Sequence, residues 1–188
     1  MDFRRLKDKL APLYKSRDPA ARFDQAERIA AKALFFAAQI VADGDSVDTA
    51  LVEALAYLIT LRNSILPQMA TRTSLEACLV EQGWTSPKAR ELFRSLERLP
   101  DYPKSREEQI VADAETVTRL GLVGLLRQVA TGAAAGQSLT DSLEAAFKQL
   151  GRRIYTAQAS AEAGPLKDEL RELILSAKKR LEEGKPKA

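Results

Sequence analysis

Val52-Glu53-Ala54-Leu55-Ala56-Tyr57-Leu58-Ile59-Thr60-Leu61 decides the fold class of this chain, because Glu53 is its one charged residue. Helical spacing leaves no polar stripe along it. A helix apolar on every side belongs at the centre of a domain, where neighbours cover all of its faces. The stretch therefore predicts a central core helix. Ser46 and Asp48 both stand where an N-cap would start it, and Pro67 stops it after about Leu66.

Outward from that helix the pattern stays helical. Phe3, Leu6, Leu10 and Leu13 recur at three and four residues and predict a short first helix with one apolar face. Asp18-Pro19 signals a second start, and Asp43-Gly44-Asp45 ends that helix after about Ala42. Ser74 to about Gln82 is a short helix closed by Gly83, and Ser86-Pro87 opens another that runs to about Leu99 before Pro100. Ser105-x-x-Glu108 has the spacing of a capping box, and the helix it opens is expected to reach towards Ala130. Thr131 to Gly136 reads as a small-residue loop, Thr140 to about Ala159 as a further helix, and Gly164-Pro165 as the start of the last. Leu166, Leu170, Leu173, Ile174, Ala177 and Leu181 form the packing stripe of that last helix. Val and Ile keep helical rather than alternating spacing, so the expectation is an all-α, single-domain bundle of about 7–8 helices over residues 1–188.

Composition bounds the chemistry. The chain holds 188 residues, 45% hydrophobic and 29% charged, enough for a substantial apolar core without metal or disulfide. There is one cysteine, Cys78, so no internal disulfide can form, and its expected role is small core filler. Histidine is absent altogether, which removes the commonest metal ligand and the usual proton shuttle near neutral pH. The net charge of +3 is mild, and Lys178-Lys179-Arg180 with Lys185-Pro186-Lys187 could supply it alone. These read as a solvated helix end and a frayed tail over 184–188, not as a nucleic-acid patch. The N-terminal Met1-Asp2-Phe3-Arg4-Arg5 has no apolar signal core, and no apolar run approaches the ~20 residues of a membrane span. The expected setting is the cytoplasm, with no membrane partner.

Three stretches, in order, resemble the HD-domain superfamily of metal-dependent phosphohydrolases, in particular its small bacterial members. Gln25-Ala26-Glu27-Arg28-Ile29 is similar to the family's H-x-E-R-V. Val52 through Leu61 is similar to V-E-L-A-A-L-L-H-D-I. Ile110-Val111-Ala112-Asp113-Ala114-Glu115 through Leu120-Gly121 and Gly124-Leu125-Leu126-Arg127 parallels I-V-Q-D-A-D-R-L-D-A-L-G-x-x-G-I-A-R. The likeness covers about residues 20–183 and is strongest at 109–127. It implies an HD-like core over about 20–130, followed by closing helices over about 138–183.

The resemblance also implies a metal site, held in the family by H…HD…D. Gln25 stands at the first histidine position here, Ile59-Thr60 at the H-D pair, and Asp113 at the last aspartate. Isoleucine has no lone pair to donate. Threonine and glutamine offer neutral oxygens, weak beside imidazole or carboxylate. Three of the four positions are thus unable to serve, and the family's later aspartates become Glu115 and Thr118. The four are vestigial positions; no metal, cofactor or catalytic residue is assigned.

Single residues carry no competing chemistry. Asp113 reads as a remnant ligand, as a polar anchor capping or pairing within the bundle, or as simply exposed. Arg28 is expected to pair with Asp24 rather than to bind an anion, and Lys88, Arg90, Arg94 and Arg98 read as a solvated face rather than a phosphate site. Trp84 is expected to pack under the turn made by Gly83. Glu107-Glu108 reads as a helix-start feature, not an acid/base pair. The expectation is a catalytically inactive HD-domain protein, a pseudoenzyme serving in binding, regulation or oligomerisation. A weak Mg²⁺-dependent phosphohydrolase centred on Asp113 is the first alternative and an all-α DNA-binding regulator the second. Ligand and partner are left unspecified, a homo-oligomer stays open, and nucleic acid is disfavoured because no basic helix at the N-terminus carries the exposed Arg, Lys, Asn and Gln that read bases.

Overall fold

Among the described residues, 4–15 and 23–183, helix is the only regular secondary structure in the computed structural model. The signals at Phe3, Asp18-Pro19 and Lys185-Pro186-Lys187 lie outside them. The helices are α1 (Arg4–Lys15), α2 (Phe23–Ala42), α3 (Thr49–Leu58), α4 (Arg62–Ile65), α5 (Met69–Glu81), α6 (Ser86–Arg98), α7 (Arg106–Val117), α8 (Gly121–Ala134), α9 (Leu139–Gln149) and α10 (Ala157–Glu183). A 3₁₀ turn, Ile59–Leu61, joins α3 to α4. No described helix is long and apolar enough to cross a membrane.

The chain divides into two compact units, the first ending at Glu115 within α7 and the second running on from Thr116. In the first unit α3 is the centre, as its composition demands. Val52, Ala54, Leu55, Ala56, Tyr57 and Leu58 are all buried, and α2 and α6 pack against it. Each fully buried leucine there stabilises the fold by about 1.5–3 kcal/mol. Asp48 is the N-cap that starts α3, its carboxylate accepting from the Leu51 amide at 3.1 Å. The expected end near Leu66 also holds, but the helix tightens to 3₁₀ pitch at Ile59–Leu61 rather than running through as one piece. Trp84 is buried behind Gly83, whose φ of 89° turns the chain out of α5, and Cys78 is buried on that same helix.

The second unit is α8, α9 and α10, each packed on the other two. Several sequence expectations change here, among them the helix from Thr140 to about Ala159, which is α9 and stops at Gln149. The helix from Ser105 stops at Val117, and Gly121 takes a φ of 65° to begin α8 afresh, which continues to Ala134 through the stretch expected to be loop. The last helix starts at Ala157, not at Gly164-Pro165. Thr156 caps it, its hydroxyl accepting from the Ala159 amide, and Pro165 sits inside a 27-residue helix. Proline there forgoes one backbone hydrogen bond. The packing of α10 against both neighbours offsets that loss. Ser138 and Asp141 form a reciprocal capping box at the start of α9.

Candidate functional site

The positions that resemble a metal site fall on three elements of the first unit. Gln25 lies buried in the first turn of α2, Ile59 and Thr60 in the 3₁₀ turn after α3, and Asp113 on α7 with a side chain that is 0% exposed. The structure packs the helix of Gln25 against the helix that leads into Ile59 and Thr60. Phe23, two residues before Gln25, stacks on Tyr57, two residues before Ile59, with ring centroids 5.9 Å apart. Glu115 is buried near Asp113 on α7, and Thr118 falls in the turn that follows, beyond the end of the first unit.

Thr60 is held by a residue that sequence reasoning did not single out. Tyr14, on α1, places its hydroxyl 2.5 Å from the Tyr57 carbonyl oxygen and 2.9 Å from Thr60 Oγ1. A carbonyl only accepts, so the single Tyr14 proton goes to Tyr57 O, and Thr60 donates its own proton to Tyr14. The Tyr14 ring meets Phe23 edge-on at 5.5 Å, which completes an aromatic cluster of Tyr14, Phe23 and Tyr57. Lys7 caps its rim, with Nζ 4.8 Å from the Tyr57 ring centroid and 3.9 Å from Glu53. Burial pushes the Tyr14 hydroxyl up to about 12, against an opposing effect of the Thr60 hydrogen bond. Tyr14 and Thr60 stand 46 residues apart. No local pattern could have joined them.

These residues do not fit a divalent metal. Ile59 is buried and has no donor atom, Thr60 offers only a neutral hydroxyl, and Gln25 brings only a neutral amide. Among the described residues no group of three or more His, Cys, Asp or Glu comes together in a way that could hold an ion. Asp113 is the one carboxylate at the four positions.

Three of the four basic residues of α6, Lys88, Arg94 and Arg98, have acidic partners. Lys88 Nζ lies 2.5 Å from the Asp48 carboxylate and 4.6 Å from the centroid of the Trp84 ring. Burial alone would raise the Asp48 carboxyl, but the Lys88 ammonium and the Leu51 amide outweigh it and hold the group below its usual range. Arg98 grips Glu108 with Nε and Nη2 together, and Nη2 also reaches Glu91 at 3.0 Å. Glu108 is buried. Desolvation pushes its carboxyl up, while Arg98, the Lys104 amide at 2.7 Å and Ser95 outweigh that and bring it down. Glu108 therefore serves the start of α7, but through Lys104 and Arg98 rather than through the full reciprocal box expected with Ser105. Its own amide donates to Ser105 Oγ at 3.2 Å. Glu107 turns the other way and accepts from the Asp48 amide at 3.1 Å. Arg94 pairs with Glu91, and Arg28 is exposed on α2.

No family model and no curated protein matches the sequence. Solved structures do. Bacillus subtilis YpgQ superposes with a TM-score of 0.70 at 17% identity, over 93% of this chain and 94% of that one. YpgQ in complex with ADP gives 0.69 at 16% identity, over 93% of this chain and 97% of that one. A Lactobacillus plantarum protein gives 0.66 at 16% identity, over 93% of this chain and 92% of that one. At these identities the likeness is one of fold: this chain shares the all-α fold of YpgQ.

Proposed function

We propose that this protein is an HD-fold pseudoenzyme, retained for binding or assembly rather than for hydrolysis. The observation that carries the reading is the donor set at the four positions: a neutral amide at Gln25, hydrocarbon at Ile59, a neutral hydroxyl at Thr60 and a single carboxylate at Asp113. Thr60 keeps its lone pairs while it donates to Tyr14, but a neutral hydroxyl is a weak ligand, and the isoleucine beside it fills the neighbouring position with hydrocarbon. A metal-bound water at neutral pH needs a cation held by several strong donors, and one carboxylate does not supply them.

YpgQ has been crystallised with ADP, so a nucleoside diphosphate is the first ligand to offer this chain. The purified protein should carry less than one equivalent of divalent metal after dialysis against Mg²⁺ or Mn²⁺. It should leave ADP and ATP intact, whether or not it binds them. Stoichiometric metal together with nucleotide turnover that disappears in Asp113→Asn, the fold being unchanged by circular dichroism, would overturn the proposal in favour of a weak phosphohydrolase.

A further inference from the structure

Surface helices turn apolar side chains inward and polar ones outward. α8 does the reverse. Its buried positions include Gly121, Gly124 and Gly132, with Leu125 as the one large side chain among them. The glycines allow close approach: a Cβ at Gly124 would lie 2.0 Å from the Arg119 carbonyl oxygen, and one at Gly132 2.0 Å from Ser142 Oγ. The outward face is the apolar one. Leu122, Val123, Leu126, Ala130, Ala133 and Ala134 are all exposed and fall within an arc of about 120° around the helix axis. Leu122 is 45% exposed, Val123 50% and Leu126 60%. Arg127, the helix's one charged residue, stands at the border of that arc.

The order of sizes along this face says what covers it. The three bulky residues occupy the N-terminal half of the arc and the three alanines the C-terminal half. Laid antiparallel against itself about a two-fold axis, the face sets Leu126 of each copy opposite Ala130 of the other, and Leu122 and Val123 opposite Ala133 and Ala134. Knobs meet holes at every level. Such a face is self-complementary, as a two-fold interface must be. Charge agrees: the arc holds no ionised group to desolvate, as in the core of a protein interface. Antiparallel helices also bring the positive N-terminal end of each dipole beside the negative C-terminal end of the other.

We propose that the outward face of α8 is the seam of a homodimer of this chain, with the two α8 helices antiparallel. The helix is only about 21 Å long, so it supplies the apolar centre. A stable interface buries roughly 800 Å² per partner, so surface beyond α8 must contribute as well.

Sedimentation velocity and light scattering on the full chain test this. The wild type should be dimeric at about 100 µM, where even a weak association shows. Leu126→Glu should be monomeric there with an unchanged helical spectrum. Leu126→Ala and Ala130→Leu should each raise the dissociation constant about tenfold or more, while the double variant, which exchanges knob and hole, should recover the wild-type value within about threefold. A monomeric wild type would overturn the proposal, as would a dimer indifferent to Leu126→Glu. Failure of the double variant to recover would overturn the antiparallel seam. Phe35→Lys, on an exposed face of α2, should leave the dimer intact.

Discussion

Tyr14 has one proton, and two neighbours compete for its hydroxyl. Because Tyr57 O takes that proton, removing the hydroxyl in Tyr14→Phe leaves a buried carbonyl and the Thr60 hydroxyl without their partner. The expected loss is about 1–3 kcal/mol by urea denaturation, with the chain still folded. The same residue gives a signature in base. The Tyr14 hydroxyl is pushed up to about 12 from an ordinary 10.0, so the folded state holds its proton longer than the unfolded state does. That stabilisation is complete below about pH 10 and is lost as the pH rises towards 12, at up to about 1.4 kcal/mol per unit. The alkaline decline of the wild type should therefore be steeper than that of Tyr14→Phe over this interval, and parallel curves would argue against it.

The glycines of α8 make separate predictions at the level of helix packing. Gly132→Ala meets the Ser142 hydroxyl and Gly124→Ala meets backbone, and each should destabilise by about 1–3 kcal/mol. Ser142→Ala should recover part of the first loss, because it removes the very atom that clashes. Nothing comparable rescues the second, since a carbonyl of the chain itself is in the way. Helix boundaries show what a sequence reader can see. Asp48 as N-cap, the stop after Ala42 and the turn at Gly83 were legible because each is a local, single-residue signal. The break at Thr118–Leu120 and the start of α10 were not. Val117 and Gly121 keep helical spacing across the break, and Gly164-Pro165 carries a stronger start signal than Thr156, which only tertiary packing overrides. At the site, the neutral character of Gln25 and the apolar character of Ile59 could be read from residue types alone. The tie between Thr60 and Tyr14 could not, because it spans 46 residues and joins two helices.

For the molecule as a whole, acid is the informative variable. With no histidine to titrate, stability should be flat from about pH 6 to 8. Below that range Asp48 and Glu108 matter, since both carboxyls are held under their ordinary values of 3.8 and 4.5. The folded state binds fewer protons than the unfolded one, so this stabilisation is present above about pH 4.5 and is lost as the pH falls through the depressed values. Glu108→Gln should cost about 2 kcal/mol at pH 7. That is less than for a wholly buried pair, because the Arg98 side chain is 25% exposed. It should also flatten the acid limb of a pH–stability curve.

The inverted helix α8 also sets how this chain can vary. Apart from Leu125, its inner face has little side-chain volume to lose, so substitutions at its glycines can only add atoms where none fit. Its outer face can shed or exchange hydrocarbon with little effect on the folding of a single copy. Tolerance would therefore run opposite to the usual rule that leucines are guarded and glycines are free. A survey of viable variants would find the hydrophobic positions of α8 drifting and its glycines fixed, except where a second copy of the chain holds the leucines in place.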